Sequence, residues 1–184
     1  PLGDRVTEFA FGDFRETTIE PEAFLAAARG FPKLEELCIP KGTSIPNAAF
    51  YEELARIRTF QNVQILDDGT TNAHVVAFAR NNSLKKLELR FLPRIDRGLL
   101  DGIISSRSAA TLEDLEIVYC GEPNVEYPID PPVFGCSAFL RLVRACPKLK
   151  RLYWQHEYED TTSGEEEISK ILVDRGGEFD LAWC

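Results

Sequence analysis

The stretch Leu112–Ile117 reads LEDLEI, an L-x-x-L-x-L phrase with apolar residues at the first, fourth and sixth positions. Four other stretches repeat it when any apolar residue is accepted there: Val6–Phe11, Leu34–Ile39, Leu84–Leu89 and Leu149–Trp154. Residues 63–68 and 179–183 are read as degraded copies. With central apolar residues at 9, 37, 66, 87, 115, 152 and 181, the steps are 28, 29, 21, 28, 37 and 29 residues. Such a period is typical of a solenoid, in which no repeat can bury its apolar face alone.

Each phrase is followed by a turn and then by apolar residues spaced three and four apart, as on one face of a helix. Pro21 and Pro46 suit a first helical turn, and Asn72 and Asp96 suit a helix cap. The sequence therefore predicts an α/β fold of about seven parallel strands and six helices. Strands stack about 4.8 Å apart and helices need about 10 Å. We therefore expect a short horseshoe with the sheet on its concave side and the helices on its convex side.

The phrases resemble leucine-rich repeats, and the long period with a helical outer side is similar to the ribonuclease-inhibitor-like and cysteine-containing subtypes. Leu112–Cys120 has the L-x-x-L-x-I-x-x-C form of the cysteine-containing subtype, and Ile95–Leu100 resembles the segment that follows its strand. Phe139–Leu152 is similar to repeat junctions in fungal F-box proteins. The resemblance implies a substrate-recognition part of an F-box ubiquitin ligase adaptor, although the chain contains no F-box segment. The 21-residue and 37-residue steps also depart from a regular repeat.

Length and composition favour one domain. The chain has 184 residues, of which 44% are hydrophobic, enough for a sizeable core. Pro1-Leu2-Gly3 is typical of a cleaved expression tag, so residues 4–184 are expected to form a single leucine-rich repeat domain, monomeric as a fragment of a longer protein. The five cysteines are odd in number and irregularly spaced. This favours free thiols and an intracellular location, in the cytoplasm or nucleus.

The sequence does not favour catalysis. His74 and His156 are its only histidines, no C-x-x-C pair offers zinc spacing, and no glycine-rich loop matches a phosphate or dinucleotide motif. We therefore expect neither an enzyme nor a metal or cofactor site. The net charge of −9 argues against a nucleic-acid partner, and no run of 18 apolar residues predicts a membrane span.

The alternate residues of each phrase should point away from the helices and form a binding surface. Their middle column is predicted to run through Ala10, Cys38, Asp67, Glu88, Glu116 and Tyr153. Flanking residues and the proline-rich segment 121–135 complete the candidate partner site: Asp67, Lys86, Glu88, Arg90, Asp114, Glu116, Arg151, Tyr153, Tyr127 and Phe134.

Two interpretations of this surface stay open. The column of carboxylates is either a solvated ridge neutralised by its flanking Lys and Arg residues, or a groove for a basic protein segment with Tyr153 as an aromatic anchor. The segment 121–135 either binds a partner or folds back over a strand end. The predicted function is a protein-interaction module. The alternative is an acidic histone-chaperone-like or scaffold protein. A long acidic tail in the full-length chain would favour this alternative, and an upstream F-box would favour the adaptor.

Overall fold

A computed structural model describes residues 6–10, 21–40, 48–57, 59–120, 134–156 and 164–183. Strands and helices alternate along these segments. The strands are β1 (Glu8–Ala10), β2 (Glu36–Ile39), β3 (Asn62–Ile65), β4 (Lys86–Arg90), β5 (Asp114–Val118), β6 (Arg151–His156) and β7 (Glu178–Trp183). The helices are α1 (Pro21–Arg29), α2 (Ala48–Ala55), α3 (Asn72–Asn81), α4 (Gly98–Ile104), α5 (Cys136–Ala145) and α6 (Glu165–Asp174).

The strands form one sheet in which each strand pairs in parallel with the next strand along the chain, from β1 to β7. Successive helices likewise contact one another from α1 to α6. The predicted α/β class, with an all-parallel sheet and intervening helices, is confirmed, and the arrangement is compatible with a solenoid-like fold. Among the described helices, none combines the length and apolar character that crossing a bilayer requires.

A repeated backbone contact sets the start of β2 to β6. The amides of Glu35 and Glu36 both donate to the Thr7 carbonyl, at 2.8 and 2.9 Å. The same two-to-one contact joins β3 to Glu35, β4 to Gln61, β5 to Lys85 and β6 to Glu113. Because the contact recurs at equivalent positions, it holds neighbouring strands in one register and aligns their side chains in columns across the sheet.

The apolar positions of the phrase form the core between the sheet and the helices. The central column runs through Leu37, Val63, Leu87, Leu115 and Leu152, and each of these side chains is at most 3% exposed. Each Å² of apolar surface that is buried contributes about 25 cal/mol of stabilisation, so these columns are the main source of stability. The helices supply the facing surface through the buried residues Phe24, Leu54, Phe78, Leu100, Leu142 and Leu172.

The predicted register of the third copy is wrong by three residues. The true phrase is Phe60–Ile65, with Val63 beside Leu37 and Leu87, rather than the stretch 63–68 centred on Leu66. Ile65 is therefore in the core and fully buried, whereas the misaligned phrase would place it on the outward face. The last copy is also displaced, because Phe179 and not Leu181 pairs with Leu152.

Candidate functional site

The face of the sheet opposite the helices, called here the open face, carries the alternate residues of each phrase. Two adjacent rows across the strands define it. The first row is Glu8, Glu36, Asn62, Lys86, Asp114, Arg151 and Glu178, and the second includes Cys38, Gln64, Glu88, Glu116, Tyr153 and Asp180. The open face therefore combines carboxylates, cations, amides and one tyrosine, on strands whose other side is anchored in the core.

Arg90 links the two central glutamates of the open face. Its Nε lies 2.6 Å from Glu88, and its terminal nitrogen pairs with Glu116. The Nε contact is a close approach of charges without hydrogen-bond alignment, since that N–H has no aligned acceptor. Gln64 donates to Glu88 at 2.5 Å, and the Lys86 ammonium lies 3.4 Å from the same carboxylate. The centre of the open face is thus neutralised by its own cations.

Burial affects the chemistry of the carboxylates in this central part. Glu88 and Glu116 are each only 7% exposed. Burial raises the pKa of the Glu116 carboxyl, the neighbouring Glu88 charge raises it further, and Arg90 opposes both effects. Burial also raises the pKa of Asp114, against the opposing charges of Arg151 and Lys86. Both carboxyls therefore hold their protons more strongly than an exposed acid.

A second ion-paired group lies on β5 to β7. Arg151 lies 3.4 Å from Asp114 on one side and 3.4 Å from Glu178 on the other. Asp114 keeps one buried oxygen without a hydrogen-bond partner. As with Arg90, one arginine contacts two carboxylates, here on the two strands that flank β6. The open-face carboxylates Glu88, Glu116 and Asp114 of β4 and β5 are therefore internally compensated.

Charge is less balanced at the other end of the open face. A cavity of about 330 Å³, called here the acidic pocket, is lined by Glu8, Glu36, Leu37, Cys38, Asn62, Val63, Gln64, Lys86 and Glu88. Three carboxylates thus face one ammonium group. Among the described residues, neither Glu8 nor Glu36 forms an ion pair, and both are exposed. The acidic pocket therefore has an excess of negative charge at a solvent-accessible site.

Amide side chains hold the acidic pocket in shape. The Asn62 amide donates to Glu36 at 2.9 Å, and the Cys38 thiol donates to the Gln64 carbonyl oxygen at 3.0 Å. Because Gln64 also donates to Glu88, a chain of contacts crosses β2, β3 and β4. Burial, followed by the charges of Glu88 and Glu8, raises the pKa of Cys38. This thiol is accordingly a poor nucleophile and acts as a hydrogen-bond donor.

Two aromatic residues, called here the aromatic ledge, lie just beyond the ends of β4 and β5. Phe91 and Tyr119 stack with ring centroids 5.6 Å apart and planes 17° apart. Gln155 of β6 donates to the Tyr119 hydroxyl at 2.9 Å and accepts from the Tyr153 hydroxyl at 3.0 Å. Because Tyr153 lies on the open face, these contacts make the aromatic ledge continuous with it.

The predicted site residues separate into three groups. Lys86, Glu88, Arg90, Asp114, Glu116, Arg151 and Tyr153 lie on the open face, as predicted. Asp67 does not: it follows β3, is 2% exposed and accepts a hydrogen bond from Tyr51 of α2 at 3.0 Å. Its placement was wrong because the third phrase was misaligned. Tyr127 lies outside the described residues.

Phe134 is also corrected. It was predicted as a partner-binding residue of the segment 121–135, yet its side chain is 2% exposed. Its ring lies 5.8 Å from Phe139, which in turn lies 4.6 Å from Trp154. Phe134 is therefore a core residue that anchors the chain before α5, and it is not available to a partner.

The sequence interpretation missed Asn62, Gln64, Phe91 and Tyr119. The first two follow from the phrase Phe60–Ile65, once an aromatic residue is accepted at its first position. The aromatic pair has no periodic pattern behind it, because each residue takes a positive φ angle that interrupts the alternation of the strand.

The described residues do not assemble a metal centre. No group of three or more His, Cys, Asp or Glu side chains in the described segments has metal-binding geometry. His74 stacks on Tyr51 at 4.3 Å and accepts the Thr71 amide at 3.2 Å, and burial lowers its pKa. His74 therefore has a structural role at the N-terminus of α3, where it accepts a backbone hydrogen bond.

A second cavity, of about 620 Å³, opens along the starts of the strands. Its charged lining residues are Lys33, Glu35, Lys85, Glu113 and Lys148. With three cations against two carboxylates, neither sign dominates there. The acidic pocket and the aromatic ledge are therefore the features of the described surface with the more distinct chemistry. Searches of the chain against protein-family models and against curated proteins find no match.

Proposed function

We propose that the chain is a short leucine-rich repeat horseshoe whose open face binds another protein, and that it has no catalytic role. The observation that supports this most directly is the acidic pocket, where Glu8 and Glu36 have no cation partner among the described residues. Opposite charge on a partner would compensate them. We therefore propose a basic, extended protein segment as the ligand, with a Lys or Arg side chain entering the acidic pocket.

The charge distribution moves the proposed contact from the centre of the sheet towards β1–β3. Glu88, Glu116 and Asp114 already pair with Arg90, Lys86 and Arg151. A partner cation at the centre would compete with these internal pairs, so its net gain there is small. At the acidic pocket no described cation pairs with Glu8 or Glu36, so the proposed electrostatic attraction there is larger.

Preorganisation also supports binding at this surface. The side chains of the acidic pocket stand on strands whose opposite faces are buried, and hydrogen bonds already fix Glu36 and Gln64. Little conformational entropy is lost when a partner binds such a surface, because the side chains are ordered beforehand. This property suits a recognition surface that must hold its shape without the ligand.

The biological setting follows from the resemblance and the surface together. We propose substrate recognition within an F-box ubiquitin ligase adaptor, in the cytoplasm or nucleus. The excess carboxylates also suit the basic tails of histones, so the second candidate is a histone-chaperone-like or scaffold role. Partner identification with the full-length protein separates them: ubiquitin ligase subunits in the recovered complex favour the adaptor, and histones favour the chaperone.

The test uses a partner recovered with the full-length protein and then measured against the purified variants. Glu36→Gln should slow association several-fold and weaken its dependence on salt, because long-range attraction is lost. Glu166→Gln, on the exposed side of α6, is the matched control of equal charge change. Loss of binding in Glu166→Gln, with Glu36→Gln unaffected, would assign recognition to the helical side and reject the proposed surface.

A further inference from the structure

The aromatic ledge is built at a conformational cost. Phe91 and Tyr119 have φ angles of 57° and 48°, and they are the only non-glycine residues with positive φ among the described residues. A side chain with a Cβ atom is disfavoured in this region, and bulky residues occupy it rarely. Their two strand ends are adjacent and share one arrangement, since the Phe91 amide donates to Val118 and the Tyr119 amide to Gln155.

The positive φ angle changes where the Phe91 ring lies. Leu89 faces the core and Arg90 faces outward, so regular alternation would direct residue 91 into the core. Phe91 is instead 47% exposed and is, with Val173, one of two exposed large hydrophobic residues in the described part of the chain. Stacking on Tyr119 leaves a substantial part of the Phe91 ring in water. Such strain is commonly found at functional sites, and burial in the core does not account for it here.

We infer that the aromatic ledge binds an apolar side chain of the same basic segment that enters the acidic pocket. This inference rests on the proposed function. Aromatic rings with an exposed face serve as anchors in protein interfaces, since they bury a large apolar area with little loss of side-chain freedom. The contacts from Tyr119 through Gln155 to Tyr153 place the ledge on the surface that the segment would cross.

The sheet geometry sets the spacing between the two contacts. Glu36 lies in the same row as Lys86, so Phe91 is two strands and five residues away from it. With about 4.8 Å between strands and about 3.3 Å per residue, the separation is roughly 19 Å, which about six extended residues span. The ligand is therefore a segment with a Lys or Arg and an apolar residue about six positions apart.

The test selects displayed random peptides of about twelve residues, which are long enough in extended form to span both contacts. Wild type should enrich peptides with a basic residue and an apolar residue about six positions apart. Phe91→Asn removes the ring but tolerates the positive φ angle, and it should keep the basic preference and lose the apolar one. Glu36→Gln should keep the apolar preference and lose the basic one. Val173→Asn, at an exposed apolar position on α6, should enrich the same peptides as wild type.

The outcomes separate the two ideas. A basic preference without a Phe91-dependent apolar preference, or without the spacing, overturns this inference and leaves the proposed function in place. Absence of a basic preference on wild type overturns the proposed function, and with it the shared segment. Phe91→Gly, which suits the positive φ angle best, is the second variant without the ring, and urea midpoints at or above that of wild type verify that both variants are folded.

Discussion

The Tyr51 hydroxyl of α2 donates a hydrogen bond of 3.0 Å to the Asp67 carboxylate, just beyond the end of β3. The same hydroxyl lies 2.7 Å from the Thr70 hydroxyl. Tyr51 and Thr70 are fully buried and Asp67 is 2% exposed, so the contact ties a helix to the segment between β3 and α3. Burial and the Asp67 charge both raise the pKa of Tyr51, which stays protonated as a donor.

Tyr51→Phe should lower the free energy of unfolding by about 1–3 kcal/mol, because it leaves the buried Asp67 carboxylate without one of its donors. Urea unfolding monitored by circular dichroism measures the change. Tyr153→Phe is the matched control, since its hydroxyl bonds Gln155 on the half-buried open face and should matter less. Equal losses of unfolding free energy in the two variants would show that the Tyr51–Asp67 hydrogen bond stabilises the fold no more than the Tyr153–Gln155 hydrogen bond does.

Leu115→Ala should lower the free energy of unfolding by about 2–5 kcal/mol through lost burial and the cavity left behind. Leu115 is fully buried in the central column, between Leu87 and Leu152. Val173→Ala, at a position that is 60% exposed, should change stability by no more than about 0.5 kcal/mol. A loss below about 0.5 kcal/mol for Leu115→Ala would contradict the assignment of the phrase.

The contribution of Glu116 to stability should fall as the pH rises from about 4.5, because burial and the Glu88 charge raise the pKa of Glu116 in the folded protein. Between the two pKa values the native state keeps a proton on Glu116 that the unfolded state has released. The stabilisation from this proton is therefore complete below the pKa of Glu116 in the unfolded chain. It is lost as the pH rises through the pKa of Glu116 in the folded protein. Thermal unfolding between acidic and neutral pH measures it.

Arg90→Met should steepen this loss and cost about 1–3 kcal/mol near neutral pH, since Glu88 and Glu116 then lie buried without their shared cation. Adding Glu116→Gln to Arg90→Met should restore part of the stability and flatten the pH dependence. If the double variant had the same pH dependence of stability as Arg90→Met alone, Glu116 would be ruled out as the titrating group.

The chain should form no disulfide, and its thiols should be mostly unreactive. Cys120, Cys136 and Cys146 are buried, and Cys38 is half-buried. Burial raises the pKa of Cys146 to about 11, so little thiolate forms near pH 8. Mass-mapped alkylation of the native protein should modify Cys38 slowly and Cys146 not at all. Titration after unfolding without reductant should find all five thiols of the chain, and three would reveal a disulfide.

Where the phrase is complete, the strand predictions were accurate. Leu84–Leu89, Leu112–Ile117 and Leu149–Trp154 each place apolar residues at all three core positions, and each forms the expected strand with the expected open-face residues. The third copy failed because Val63, Ile65 and Leu66 are all apolar and permit two alignments. A slip of this kind exchanges the two faces of a strand, and it placed Asp67 on the open face.

The sequence by itself determined the parallel α/β array, because the spacing of apolar residues prescribes which side of every strand must be buried. Only the tertiary structure decided how Arg90 pairs with Glu88 and Glu116, that Glu8 and Glu36 have no cation partner among the described residues, and where Phe91 lies. These features depend on distances between strands that lie 24 or more residues apart, and on two backbone angles that depart from the strand pattern. Periodicity along one strand encodes burial, whereas pairing across strands depends on register and on local backbone conformation.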